Sequence, residues 1–158
     1  MPPLITVTSV TLPCRSADTL LEQLDAELEQ RYPKHERRQL DLKSGQFGPG
    51  RGVFLLASTD GLPVGCCALR GLNCATGELR RMYVLPSVRG RGVGSRLLAE
   101  IERHARQGGL ERLVLATGLR QPEALCLYEK HGYIRIQCHP DQAFTRLSVC
   151  MMKIFSGD

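Results

Sequence analysis

The stretch from residue 78 to 117 restricts the fold more than any other. Glu78 to Leu85 has the pattern of a strand and is closed by Pro86. Val93, Leu97, Leu98, Ile101 and Ala105 then recur at helical spacing, Gly108-Gly109 supplies a stop, and Leu113 to Thr117 is a second short apolar strand. Two strands joined through one crossover helix cannot make a hairpin, so this unit requires a parallel pair within a sheet.

The flanking sequence adds antiparallel elements. Leu4 to Val10 alternates apolar residues with Thr and Ser, and from Asp18 the residues Leu20, Leu21, Leu24 and Leu28 line one helical face. Glu22, Asp25, Glu27 and Glu29 ride on the outside of that helix, which Pro33 bounds. Val53 to Ser58 and Pro63 to Leu69 are strands about an Asp60-Gly61 hairpin turn, and with Glu78 to Leu85 they form a meander. A helix is expected from Pro122 to His131 with Gly132 as its left-handed cap, followed by strands at 133–137 and 147–154. The expected class is α/β, a mixed α+β sheet flanked by helices. Lys34 to Gly52 is rich in Arg, Lys, Gly and Gln and reads as a long mobile loop, either a substrate-side flap or a surface excursion.

With 158 residues, against about 100–150 for a common domain, residues 1–158 are expected to form one domain. A hydrophobic fraction of 42% with 23% charged residues excludes global disorder and fibrous folds. No apolar run is long enough to span a bilayer and the N-terminus has no basic leader, so a soluble, unexported, cytoplasmic protein is expected. The seven cysteines form no C-x-x-C pair and no zinc-type Cys/His spacing. Free thiols, most of them packed as small hydrophobes, and no metal are the expectation. A net charge of +5 allows an anionic partner: nucleic acid, a membrane surface or a phosphorylated cofactor.

Between the strand and helix of the 78–117 unit lies Ser87-Val88-Arg89-Gly90-Arg91-Gly92-Val93-Gly94-Ser95. Glycines let backbone N–H groups turn toward a ligand, and a helix N-terminus adds about half a positive charge, which suits phosphate or pyrophosphate. The spacing fits neither G-x-x-x-x-G-K-[ST] nor G-x-G-x-x-G. The bland alternative is a glycine-rich turn with solvated arginines.

Arg89-x-x-Gly92-x-Gly94, after a strand ending Met82-Tyr83-Val84, resembles the [QR]-x-x-G-x-[GA] signature of the GNAT N-acetyltransferase superfamily. Residues 78–84 look like that family's fourth strand, and residues 121–133 look like its N-x-x-A-x-x-[LF]-Y-x-x-x-G-[FY] segment. The resemblance implies a mostly antiparallel sheet with a splayed parallel pair, and acetyl-CoA as co-substrate. It implies that the backbone of Met82, Tyr83 and Val84 receives the pantetheine arm. Arg89, Gly90, Arg91, Gly92, Val93, Gly94 and Ser95 would hold the pyrophosphate, and Gln121 stands where the family has an Asn that contacts the cofactor arm. A bulge in the fourth strand would bring Leu79 and Met82 to the same face.

Acetyl transfer needs a neutral amine, and an amine with a pKa of about 10.4 is neutral only about once in a thousand at pH 7. By the resemblance, Glu78 is the general base, acting through water, and Tyr128 is the acid for the leaving thiol. Glu78 could instead be a strand-end carboxylate paired with Arg80 or another arginine, and Tyr128 an ordinary core tyrosine. Cys126 lies on the same helix, but no His spacing makes it a nucleophile.

Two other functions stay open: a coenzyme A-binding sensor without turnover, and a nucleic-acid module using Arg31, Lys34, Arg37, Arg38 and Arg51. The latter lacks interleaved aromatics and any nucleic-acid motif. The reading favours a small-molecule amine over a protein acceptor, no nucleic acid and no membrane partner; a homodimer is compatible with it.

Overall fold

The computed structural model describes residues 4–32, 52–138 and 147–155. The long loop expected at 34–52 lies outside these residues except for Gly52, as do Lys34, Arg37, Arg38 and Arg51 of the basic patch. In chain order the elements are β1 (Ile5–Val10), α1 (Arg15–Arg31), β2 (Gly52–Thr59), β3 (Leu62–Gly71), β4 (Thr76–Val84), α2 (Val93–Gln107), β5 (Arg112–Gly118), α3 (Pro122–Lys130), β6 (Ile134–Ile136) and β7 (Ser148–Ile154). They build one seven-stranded sheet in the order β1-β2-β3-β4-β5-β7-β6. Every neighbour pair is antiparallel except β4 with β5, as the crossover pattern required.

Alternation along the central strands sorts side chains onto two helical layers. Phe54, Leu56, Cys66, Ala68 and Tyr83 pack on Ala17, Leu20 and Leu24 of α1. Leu55, Ala57, Cys67, Leu69, Leu79, Leu113 and Leu115 pack on the other face against Leu97, Leu98 and Ile101 of α2, with Leu125 and Tyr128 of α3 in the same cluster. Each fully buried Leu or Phe contributes about 1.5–3 kcal/mol, so burial on both faces explains why β2 and β3 read as continuous apolar runs. Asp60 and Gly61 both take positive φ in the β2–β3 turn, and Gly132 ends α3 at φ 91°. β4 begins at Thr76, two residues before the strand expected from the sequence, because Asn73 turns the chain by accepting the amides of Ala75 and Thr76.

The thiol expectation needs correction. Cys138, just past β6, and Cys150 of β7 form a disulfide; adjacent antiparallel strands bring them together, which their spacing of 12 residues did not reveal. Cys66 and Cys67 are buried small hydrophobes, but Cys74 and Cys126 are exposed. Among the described residues no helix is long and apolar enough to cross a membrane.

Candidate active site

β4 and β5 pair only from Thr76↔Arg112 to Leu79↔Leu115. Beyond that point they part, because β4 is bulged: against β3 the register passes from Ala68↔Arg80 to Cys66↔Tyr83, so Arg81 and Met82 stand opposite Cys67. Arg81 takes the left-handed conformation there, φ 57°, and Leu79 and Met82 pack against the same α2-side cluster. The extra residue bends the strand away from β5. Leu85 N–H donates to Val64 O at 2.9 Å. By the alternation of an antiparallel ladder, the N–H and C=O of Val84, and of Met82 two residues earlier, therefore point to the β5 side, where no strand among the described residues meets them and Val84 O accepts instead from Arg89 Nε.

A cleft of about 320 Å³ opens along this unpaired edge. Met82, Tyr83 and Val84 form one wall, Leu24 and Glu27 of α1 another, and the turn into α2 closes one end. Of the residues in that turn, Arg89, Gly90, Gly92, Val93, Gly94 and Ser95 line the cleft, while Arg91 is exposed and does not. Gly92 caps α2 at φ 89°, a conformation that costs other residues about 1–2 kcal/mol, and space above it is open. The amides opening α2 lack intrahelical acceptors and so form an anion cradle. A pyrophosphate at the turn and a strand-like amide arm along Met82–Val84 fit these groups.

Arg89 is held over the cleft. Its Nε donates to Val84 O at 2.9 Å and its Nη2 to Glu27 Oε1 at 2.8 Å, and Glu123 of α3 lies 3.7 Å from Nη1. Arg31 of α1 also pairs with Glu123 and donates to Arg120 O, so ionic contacts join α1 to α3 across the cleft. Tyr32 completes the join: its hydroxyl donates to Gln121 Oε1 at 3.4 Å and accepts from the Arg120 amide at 3.1 Å. Gln121 lines the cleft, and Ser95 Oγ bonds His131 Nε2 at 2.9 Å at the far end of α3.

Glu78 sits at the last stretch of β4–β5 pairing, 8% exposed. Arg70 Nη2 and Arg80 Nε contact its Oε1 at 3.0 and 3.4 Å, so the arginine pairing considered from the sequence is present. Tyr128 is 4% exposed, with its ring 5.7 Å from that of Tyr133. Burial, with a smaller effect of Cys67, pushes its pKa upward and keeps the phenol protonated. Neither Glu78 nor Tyr128 lines the cleft itself.

Sequence reasoning missed Leu24, Glu27, Val88, Glu123, Ala124, Cys126, Leu127 and Lys130 as cleft residues. Residues 123, 127 and 130 follow one helical face, a spacing visible in the sequence. Nothing local distinguished Glu27 from the other acids of α1, Glu22, Asp25 and Glu29. Among the described residues no cluster of His, Cys, Asp and Glu is placed to hold a metal.

Comparison with known proteins agrees with this architecture. An Azospirillum brasilense protein named IAA acetyltransferase is 40% identical over 115 residues, covering 72% of this chain and 74% of that protein. The aminoalkylphosphonate N-acetyltransferase of Salmonella typhimurium is 42% identical over 57 residues, 36% of this chain and 37% of that enzyme. A Klebsiella pneumoniae crystal structure, provisionally assigned as an acyl-CoA N-acyltransferase, superposes with a TM-score of 0.82 at 32% identity, covering 96% of this chain and 97% of that one. An Elizabethkingia anophelis GNAT acetyltransferase with acetyl-CoA bound shares the fold at a TM-score of 0.67 and 18% identity, covering 96% and 98%. The profile of the Acetyltransferase (GNAT) family matches residues 17–133, and with the splayed β4–β5 pair and the anion cradle at α2 this chain belongs to the GNAT family of acetyltransferases.

Proposed function

We propose that this N-acetyltransferase moves the acetyl group of acetyl-CoA directly to a primary amine on a small molecule, with Glu78 as base and Tyr128 as the donor to the departing sulfur. The observation that carries the reading is the unpaired β4 edge at Met82–Val84, which runs from the N-terminus of α2 toward the point beyond Leu79 where β4 and β5 part. Acetyl-CoA supplies an activated thioester carbonyl. The backbone of Met82 and Val84 aligns its amide arm, and the amides from Val93 to Ser95 take its phosphates. Arg89 turns from Glu27 to the phosphates, while Gln121 offers its side-chain amide near the arm.

An ammonium acceptor first gives one proton through a water to Glu78 and so becomes nucleophilic. Its nitrogen adds to the thioester carbonyl, and collapse of the tetrahedral intermediate breaks the C–S bond. The second nitrogen proton passes to water, the departing thiolate takes a proton from water and leaves as a thiol, and Glu78 returns its proton to solvent. Tyr128, with its raised pKa, assists by hydrogen-bonding to the developing thiolate, since full proton transfer from a buried phenol to a thiolate is uphill. The small-molecule assignment is in keeping with the Salmonella relative, whose name specifies aminoalkylphosphonates.

Thiol release from acetyl-CoA across a panel of amines tests the reading. Glu78→Gln should cut kcat/KM by about 10² while acetyl-CoA still raises the melting temperature, and the loss should shrink as pH rises and more amine is already neutral. An unchanged rate below pH 7 rejects Glu78 as the base.

A further inference from the structure

The first turn of α2 and the last turn of α3 meet at one end of the cleft. Gly94 admits the approach, since a Cβ there would stand 3.0 Å from Leu127 Cδ2. The α2 ladder opens with Arg96 N–H donating to Gly92 O at 3.0 Å, so the amides of Val93, Gly94 and Ser95 have no helical acceptor, and Gly92 has no side chain to cap them. Of these three residues only Ser95 adds a side-chain donor. His131 caps α3, its N–H donating to Leu127 O at 3.2 Å and to Tyr128 O at 3.1 Å, and its Nε2 lies 2.9 Å from Ser95 Oγ. Lys130, the preceding residue, lines the cleft together with Ser95. Arg89, the other cation of the cleft wall, is held by Glu27 and lies near Glu123, whereas Lys130 has no ion pair among the described residues.

A serine hydroxyl has one proton to give. Donated to a bare Nε2, it leaves Oγ with only lone pairs for the cleft, and these repel a phosphate oxygen. If Oγ instead accepts from Nε2–H, its own proton is free, and Ser95 offers a phosphate two donors, its amide and its hydroxyl. We propose that His131 is a positioning residue for the phosphate end of acetyl-CoA: its Nε2–H holds Ser95 Oγ as an acceptor and turns the hydroxyl proton toward the phosphate, while the Lys130 ammonium supplies charge from the α3 side. A neutral imidazole with its proton on Nε2 suffices for this. A phosphate in the cradle selects that tautomer, because the hydroxyl's bond to an anion is stronger than its bond to a neutral ring nitrogen. The proposal rests on the acetyl-CoA reading above.

Calorimetric titration with acetyl-CoA at low salt is carried out on wild type, Ser95→Ala, His131→Leu, His131→Gln and the double variant Ser95→Ala/His131→Leu. Ser95→Ala and His131→Leu should each raise Kd about tenfold, the effect of one hydrogen bond to a charged group. The double variant should bind no more weakly than either single one, because both changes remove the same donor. His131→Gln, whose side-chain amide nitrogen takes the place of Nε2, should stay within about threefold of wild type, as a donor that still reaches Ser95 preserves most of the bond. A merely structural histidine predicts instead that the two losses multiply and that Gln and Leu act alike. Lys130→Gln should weaken binding and lessen its dependence on salt. Wild-type affinity in Ser95→Ala or His131→Leu, multiplied losses in the double variant, or equal losses in His131→Gln and His131→Leu overturns the proposal, and an unchanged salt dependence in Lys130→Gln overturns the part given to Lys130. Should His131→Leu fail to fold, His131→Phe, which keeps a ring and lacks the donor, takes its place. No heat and no melting shift with acetyl-CoA in the wild-type protein overturns the co-substrate reading itself, a result distinct from wild-type binding with indifferent variants.

Discussion

Glu27 places a negative charge in the wall of a cleft shaped for a phosphate-bearing co-substrate, and it holds Arg89 by a 2.8 Å ion pair. Glu27→Gln keeps the size of the side chain and removes that charge. A unit charge about 7 Å from a phosphate contributes about 0.6 kcal/mol of repulsion at a dielectric constant near 80 and about 2.4 at 20. Removing it should tighten acetyl-CoA binding by about 3- to 60-fold, with the freed Arg89 acting in the same direction. The stability lost with the partly exposed ion pair is about 0.2–1 kcal/mol. Calorimetric titration with acetyl-CoA at two salt concentrations measures the effect, which should shrink at higher salt. Equal or weaker binding by Glu27→Gln at low salt would refute the idea that Glu27 opposes the phosphates and restrains Arg89.

Tyr128→Phe should retain acetyl-CoA affinity and lower kcat, because it removes the hydroxyl and keeps the packing against Tyr133; wild-type turnover at every pH removes Tyr128 from the chemistry. Gly92→Val forces a β-branched residue into φ 89° at the helix cap and should weaken acetyl-CoA binding at least about tenfold, read as loss of the ligand-induced melting shift. Iodoacetamide should label exposed Cys126 and spare Cys66, whose thiol burial pushes up to about 12, with an opposing effect from Arg81; acetyl-CoA should slow labelling at Cys126, as mass spectrometry of the peptides will show.

The order of elements was legible because its signals are local. The apolar stripe Val93, Leu97, Leu98, Ile101 and Ala105 is buried on α2, and Gly132 takes the positive φ expected of a helix cap. The turn at 89–95 was legible as part of the cleft for the same reason: its glycine spacing lies in one short segment, and every residue of it except Arg91 lines the cleft. Side-chain partners were less so. Asp25 and Glu27 looked like solvated acids because helical periodicity separates faces but does not say what crosses above them; in the fold they meet Arg81 and Arg89. Glu78 was recognisable as a strand acid, but the partnership with Arg70 depends on cross-strand register between β3 and β4. The Cys138–Cys150 pair depends likewise on how β6 lies against β7.

The brevity of the β4–β5 contact has a mechanical consequence. Among the described residues the β4–β5 ladder that joins the β1–β4 half of the sheet to the β5–β7 half has four residue pairs, extended only by Ala75 O, which accepts from the amides of Glu111 and Arg112. The remaining load falls on α2, which spans both halves through Leu79, Leu113 and Leu115 and is tied to β7 by Glu102–Lys153 at 2.7 Å, and on the Arg31–Glu123 contact between α1 and α3. A strand-like arm lying between the parted edges would bridge the two blocks as a mortise key does, and its binding energy would be shared with their mutual alignment. Substitutions at Glu102, Lys153 or Arg31, remote from the transferred group, would then register as changes in co-substrate grip, because they alter how firmly the jaws are held before the key is inserted.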